Sequence, residues 1–113
     1  MEILEKNINN IDVVSLSGRL DAYSAGDLEK KLDSLFEAAH IQLIINFEQL
    51  EYISSSGLRV LLAALKKVKR QHGDIKLACL KPNVKEVFNI AGFTQIFNIF
   101  DTVETASKGF ENA

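Results

Sequence analysis

The chain has 113 residues, of which 47% are hydrophobic and 25% are charged, and its formal net charge at pH 7 is −2. This balance predicts one globular domain over residues 1–113. It argues against nucleic-acid binding, which needs a strongly basic face, and no apolar stretch approaches the roughly 18 residues of a membrane helix. The single cysteine, Cys79, and the lack of a signal-peptide pattern favour a reducing, cytoplasmic location, with Cys79 buried in an apolar strand.

The chain begins with a predicted β-hairpin. Residues 3–8 have the composition of a weak strand, and residues 11–18 (IDVVSLSG) are rich in β-branched side chains, as a returning strand would be. Asn9 and Asn10 lie between them, and asparagine tolerates the positive φ of a tight turn. Residues 19–23 then form a connection.

A helix and a buried strand follow the hairpin. Ser24 and Asp27 have the spacing of a capping box, which predicts a helix from Ser24 to about Ala39. Residues 41–47 (IQLIINF) form a nearly continuous apolar run, which indicates a central strand covered on both faces. Residues 48–52 are predicted to be a short loop.

The second half of the chain alternates helices with strands. The predicted elements are a helix at 55–71, a strand at 74–80, a helix from Pro82 to Gly92, a strand at 95–100, a helix that begins with the capping pair Asp101 and Glu104, and a flexible tail from about 108. The order is β-β-α-β-α-β-α-β-α. It predicts an α/β fold with a mixed sheet, an opening antiparallel hairpin and helices packed on the sheet.

Few residues of this chain are suited to catalysis. His40 and His72 lie near predicted helix ends, without a second ligand at metal-binding spacing, so we expect both to be solvated. The serine run lacks the first glycine of a G-x-S-x-G elbow, and the sequence contains no glycine-rich phosphate loop. We therefore expect no enzyme, no metal and no cofactor. The basic residues at 66–70 are expected to form an ordinary solvated face.

Three serines and a glycine, Ser54 to Gly57, stand where the central strand meets the second helix. They could cap the helix, since serine is a preferred cap residue. They could also form a site, because a helix start presents unpaired N–H groups and ligands gather at the carboxyl ends of strands. A phosphate on one of these serines would be tolerated by the helix dipole and would repel a partner. This reasoning does not choose among Ser54, Ser55 and Ser56.

Three segments, taken in this order, resemble the STAS domain of anti-sigma factor antagonists. LSGRLDAYSAGDLEKKL (16–32) is similar to the family segment around G-x-L-D-A, and LIINFEQLEYISSSGLRVLL (43–62) is similar to the signature that contains D-S-S-G-L. AGFTQIFNIFDTVETA (91–106) resembles the last strand and helix of the family. The resemblance extends from about residue 8 to residue 106.

The resemblance implies a monomeric bacterial switch protein. Members bind an anti-sigma factor with serine kinase activity, are released when that partner phosphorylates them, and are reset by a serine phosphatase. The phosphorylated residue precedes the signature glycine, which makes it Ser56 here, with Ser55 as the second choice. The implied partner-binding residues are Asp21, Tyr23, Ser24, Ser54, Ser55, Gly57, Leu58 and Arg59. Asp21 could instead be a turn residue, and Arg59 an ordinary solvated arginine.

The chain departs from the family pattern at three positions. Ser54 replaces the aspartate of D-S-S-G, Asn46 replaces an aspartate common in the preceding strand, and Arg59 stands where glycine is frequent. The first two changes are expected to remove negative charge beside the acceptor. Arg59, three residues after Ser56, would lie on a neighbouring helix face and could pair with phosphoserine.

Two other hypotheses stay open. One is a STAS scaffold, or a module that binds a small anion or a nucleotide at the same helix start without phosphorylation. The other is a small hydrolase that uses Ser55 or Ser56, against which stands the lack of a general base near these serines in the sequence.

Overall fold

The computed structural model describes residues 1–111. Its elements are β1 (Glu2–Ile8), β2 (Ile11–Leu20), α1 (Ala25–Glu37), β3 (Gln42–Ile53), α2 (Ser55–Arg70), β4 (Asp74–Ala78), α3 (Pro82–Ile90), a short 3-10 helix (Phe93–Gln95), β5 (Asn98–Phe100) and α4 (Val103–Glu111). The strands form one sheet in the order β1-β2-β3-β4-β5, antiparallel between β1 and β2 and parallel elsewhere. The predicted α/β fold with a mixed sheet is confirmed. Within the described residues, no helix is long and apolar enough to cross a membrane.

The opening hairpin turns on two asparagines. Asn9 and Asn10 have φ values of 52° and 68°, and Ile8 pairs with Ile11. Two residues with positive φ make a tight turn whose twist matches that of the flanking strands. The predicted turn is therefore confirmed, and it sets the register of β1 on β2.

Helices cover the two faces of the sheet unequally. α1, α2 and α3 pack on one face against a large core that includes Leu16, Ile45 and Phe47. α4 packs on the other face, against a smaller cluster that includes Ile44 and Ala78. Neighbouring side chains along a strand point to opposite faces, so Ile44 and Ile45 belong to different cores. The prediction of a central strand buried on both faces is confirmed.

The strand β3 is longer than the sequence predicts. Residues 48–52, predicted as a loop, belong to this strand, which ends at Ile53. The strand stays paired with β2 across two register shifts, and beside the first shift Asn46 Oδ1 accepts a hydrogen bond from the N–H of Glu48 at 3.1 Å. A shift of this kind breaks the regular alternation of side chains, which is why the sequence pattern was that of a loop.

One predicted helix cap is in the predicted position without its side-chain bond, and another is wrong. Ser24 does precede α1, but its side chain makes no capping bond, because its hydroxyl takes part in the turn before the helix. At α4 the N–H of Thr105 donates to Thr102 Oγ1 at 3.0 Å, so Thr102 caps the first turn instead of Asp101.

The chain also differs from the predictions near Cys79 and at its C-terminal end. The predicted strand at 74–80 ends at Ala78, and Cys79 follows it, half-buried, with φ 63°. Burial raises the pKa of the Cys79 thiol, which favours its neutral form. α4 includes residues 108–111, which the sequence assigns to a tail, and residues 112 and 113 lie outside the described part of the chain.

Candidate functional site

The serine run and the turn after β2 lie together at the carboxyl ends of the strands. β2 and β3 are parallel neighbours, so residues 21–24 and residues 54–57 both follow the carboxyl ends of their strands. The N–H of Ser54 donates to the backbone oxygen of Leu20 at 2.9 Å, which joins the two segments directly. In open α/β sheets this is the edge where ligands bind.

The start of α2 assigns different roles to the three serines. Ser54 has extended backbone angles (φ −98°, ψ 172°), and its Oγ accepts a hydrogen bond from the N–H of Gly57 at 3.3 Å. Ser54 is therefore the cap. The hydroxyls of Ser55 and Ser56 make no side-chain hydrogen bond with residues 1–111, and Ser55 is exposed while Ser56 is half-buried. Capping thus explains one of the serines and leaves two hydroxyls free.

Gly57 allows α2 to approach β2 closely. A Cβ atom at this position would lie 2.6 Å from Leu20 Cγ and 3.0 Å from Ile53 Cγ1. Leu20 is fully buried, so its side chain has little room to move away. The glycine of the motif therefore has a packing role that holds the start of α2 against the end of β2.

The turn before α1 is organised by Asp21. Its Oδ1 accepts hydrogen bonds from the N–H of Tyr23 at 3.0 Å and of Ser24 at 3.2 Å, while Ser24 Oγ donates to the backbone oxygen of Arg19 at 2.8 Å. Desolvation alone would raise the pKa of Asp21, but these backbone N–H groups outweigh it and hold the pKa below its ordinary value. Asp21 is thus an ionised turn residue beside the serine run.

The predicted partner-binding residues divide into exposed and buried groups. Tyr23 is 96% exposed, and Arg59 is also exposed. Leu58 is only 7% exposed and belongs to the core, and Ser24 and Gly57 are buried as well. The buried residues offer a partner little contact area. They affect the binding surface by supporting the backbone that forms it.

One pair at this edge was not predicted from the sequence. The guanidinium carbon of Arg19 lies 4.1 Å from the centre of the Tyr52 ring. Such a contact is attractive, because the face of the ring carries partial negative charge. Arg19 and Tyr52 are partners in the register of β2 on β3. No linear motif joins them, and the loop prediction for residues 48–52 concealed the pairing.

The electrostatics differ from the prediction at Asn46. Asn46 lies seven residues before the end of β3, roughly 20 Å from the serine run at about 3.3 Å per strand residue. Its neutral side chain bonds Ser15 and Glu48 and has no direct influence on the acceptor. Ser54 does stand at the site, where it is a neutral cap of α2. The first turn of α2 contains no acidic residue.

The two histidines lie outside this site. His40 follows α1, at the opposite end of the strands, and its Nδ1 is 2.8 Å from Oδ2 of Asp12, whose exposure is 5%. His40 is exposed, as predicted, and it is also the partner of a buried carboxylate, which the sequence did not predict. Within residues 1–111, no group of three or more His, Cys, Asp and Glu residues could hold a metal ion.

Sequence comparisons match nearly the whole chain. A family model described as the STAS domain matches residues 3–106. BtrV of Bordetella bronchiseptica, named as a candidate anti-sigma factor antagonist, is 33% identical over 113 residues, which cover all of this chain and 97% of that protein. The anti-sigma-B factor antagonist of Bacillus subtilis is 35% identical over 96 residues, which cover 85% of this chain and 86% of that protein.

Comparison with solved structures gives the same fold. The Bacillus anti-sigma factor antagonist SpoIIAA matches in its unphosphorylated form with a TM-score of 0.76, 21% identity, and coverage of 99% of this chain and 99% of that one. Its phosphorylated form matches with a TM-score of 0.76, 23% identity, and coverage of 96% and 99%. The family model spans the turn at Asp21, the serine run and the mixed sheet that holds them. This chain therefore belongs to the STAS domain family.

Proposed function

We propose that this protein is an anti-sigma factor antagonist whose binding is ended by phosphorylation of Ser56. The observation that carries the proposal is that the three serines have different hydrogen-bonding roles. Ser54 alone caps α2, so the hydroxyl of Ser56 is free in the first turn of the helix, where it can accept a phosphoryl group without loss of a structural bond. Curated relatives with identities of 33% and 35% are named for this function.

The charge at the start of α2 suits such a switch. A phosphoserine adds about −1.5 to −2 charges at pH 7. The positive end of the helix dipole favours a negative charge there, and no carboxylate in the first turn competes with it. The same charge on a surface that faces a partner would repel acidic groups and cost desolvation. Binding would therefore change while the fold stays the same. SpoIIAA is named in both forms, and this chain matches each with a TM-score of 0.76.

The proposal assigns a role to each residue of the site. Ser56 is the acceptor, with Ser55 as the second choice, and an anti-sigma factor with serine kinase activity transfers the γ-phosphoryl group of ATP to its Oγ, releasing ADP and a proton. Asp21, Tyr23, Ser54, Ser55 and Arg59 form the contact surface, and Ser24, Gly57 and Leu58 keep its shape. A serine phosphatase resets the protein. The chain acts in the cytoplasm as a ligand and a substrate, not as an enzyme.

Phosphopeptide mapping tests the acceptor. The purified protein is incubated with ATP and an extract of its source cells, beside Ser56→Ala and the matched control Ser55→Ala. We expect one phosphate on Ser56, retained in Ser55→Ala and lost in Ser56→Ala. Phosphate on Ser55 alone would move the acceptor. If no variant is phosphorylated and the protein saturably binds a nucleotide, the anion-binding module becomes the better interpretation.

Binding to the cognate anti-sigma factor tests the switch. We expect Ser56→Asp to weaken the affinity by at least about tenfold, because a charge placed at an interface costs desolvation and repulsion. Ser56→Asn introduces a side chain of the same shape as aspartate without its charge, and it should bind within a few-fold of the parent. Equal affinity of Ser56→Asp and the parent would contradict the switch.

A further inference from the structure

The strand β1 has an open edge. It is the outer strand of the sheet, and it pairs with β2 on one side only. The two-residue turn makes Ile8 and Ile11 a hydrogen-bonded pair, and bonded pairs then alternate along the hairpin. The backbone groups of Ile3, Glu5 and Asn7 therefore point away from β2. No other strand within residues 1–111 pairs with them, and an open edge of this kind can accept a further strand.

The strand β1 presents two exposed apolar side chains at this edge. Leu4 is 58% exposed and Ile8 is 40% exposed. Both lie on the face of the sheet that carries α4, since Leu4 pairs with Ser15 and Ile8 with Ile11. Edge strands are often protected by charge, and β1 does contain Glu2, Glu5 and Lys6, but an exposed leucine lies between them.

Charge favours a register of β1 with itself that is centred on Leu4. When Leu4 lies opposite Leu4 of a second copy, Glu2 lies opposite Lys6, and Ile3 and Glu5 form the hydrogen-bonded pairs. A register centred on Glu5 would place two glutamates opposite each other, which is destabilising. Glu5 also has a partner in its own chain, because Lys31 Nζ lies 3.3 Å from its Oε2. Neither Glu2 nor Lys6 forms an ion pair within residues 1–111.

We propose that β1 pairs antiparallel with β1 of a second copy of this chain, with Leu4 against Leu4 on the two-fold axis and Glu2 against Lys6 on either side. The two sheets then join into one continuous sheet. So short a strand pair buries little area, so the dimer is weak and the monomer expected from the sequence is the main species at low concentration. This inference does not depend on the proposed function.

Sedimentation equilibrium of the purified chain tests the proposal. Because small interfaces are weak, the measurement covers about 10 µM to about 1 mM protein. We expect the average mass to rise from monomer towards dimer over this range. Glu2→Lys and Lys6→Glu should each raise the dissociation constant about tenfold or more, because each places two pairs of like charges across the axis. The control is Lys30→Glu, which makes the same charge change as Lys6→Glu at an exposed position on α1. It should leave the dissociation constant unchanged.

The double variant Glu2→Lys/Lys6→Glu decides the register. It restores both opposite-charge pairs, so its dissociation constant should return to within about threefold of the parent. NMR spectra recorded at increasing concentration should show amide shifts at Ile3, Glu5 and Asn7. A monomer at every concentration, a double variant as weak as the single ones, or shifts confined to other elements would overturn the proposal.

Discussion

Two helices of this protein begin at the same edge of the sheet, each with a serine in the cap position, and they use it differently. At α2 the hydroxyl of Ser54 accepts a bond from the N–H of Gly57. At α1 the hydroxyl of Ser24 makes no capping bond and donates to a backbone oxygen of β2. The turn before α1 also contains its own anion, Asp21, whose carboxylate accepts two backbone N–H groups. α2 has a neutral cap and no acidic residue in its first turn.

The difference shows which helix start is suited to receive a charge. At α1, Asp21 and the acidic Asp27 of the first turn already supply the negative charge that a helix dipole favours. The first turn of α2 contains no negative charge, and the hydroxyl of Ser56 lies in this turn. The same residue type therefore completes a turn at one helix and leaves room for a modification at the other.

Glycine replacements should give the largest contrast between the two helices. Gly57→Ala puts a methyl group 2.6 Å from Leu20 Cγ, and overpacking of this kind costs about 1 to 3 kcal/mol, more than the roughly 0.5 to 1 kcal/mol gained by replacing a helical glycine. Gly26→Ala near the start of α1 meets nothing within 4 Å and should stabilise by about 0.4 to 1 kcal/mol. Urea denaturation measures both. Equal signs for the two variants would show that the close approach at Gly57 is not restrictive.

Removal of each serine hydroxyl should cost stability for different reasons. Ser54→Ala removes a cap and should lower the free energy of unfolding by about 1 kcal/mol. Ser24→Ala leaves the Arg19 carbonyl and the Asp21 N–H without their partner and should cost about 1 to 3 kcal/mol. Replacement by aspartate distinguishes the two roles. Ser54→Asp should be more stable than Ser54→Ala, because aspartate can cap the helix, whereas Ser24→Asp should be no more stable than Ser24→Ala. Rescue at both positions would mean that the two serines act alike.

A charge in the second position of each helix should have unequal effects. Relative to the isosteric Ser56→Asn, Ser56→Asp should raise the free energy of unfolding by about 0.3 to 1 kcal/mol. The matched pair Gly26→Asp and Gly26→Asn should differ less, because Asp27 already occupies the first turn of α1. Denaturation at low and at high salt measures the difference, which salt should reduce. A larger gain at Gly26 than at Ser56 would contradict the comparison.

The smallest effect is the pH dependence of the turn before α1. The pKa of Asp21 is below its ordinary value of 3.8 in the folded protein, so its bonds stabilise the fold above that value and are lost as the pH falls through the folded pKa. The stability gap between the parent and Asp21→Asn should be constant above about pH 4 to 5 and shrink below it. The gap between the parent and Ser54→Ala should change less over the same range. A carboxyl resonance of Asp21 that titrates above 3.8 in NMR would contradict the assignment.

The sequence by itself determined the order of elements, the hairpin turn and the family. These features depend on local periodicity, on residues such as Asn9 and Asn10 that tolerate positive φ, and on motifs that stand in a fixed order. The serine run could be placed at a strand–helix junction for the same reason. Its candidate acceptor, Ser56, came from the family resemblance, because local chemistry allows any of the three serines.

Only the tertiary structure decided which hydroxyl caps a helix and which residues face outward. The pairing of Arg19 with Tyr52 and of His40 with Asp12 requires the strand register and the fold. A serine hydroxyl has several backbone partners of similar strength within reach, so the choice depends on distances that the sheet sets. Burial, likewise, depends on which elements meet. Sequence periodicity indicates that a helix or strand has an apolar face, and packing alone determines which element covers that face.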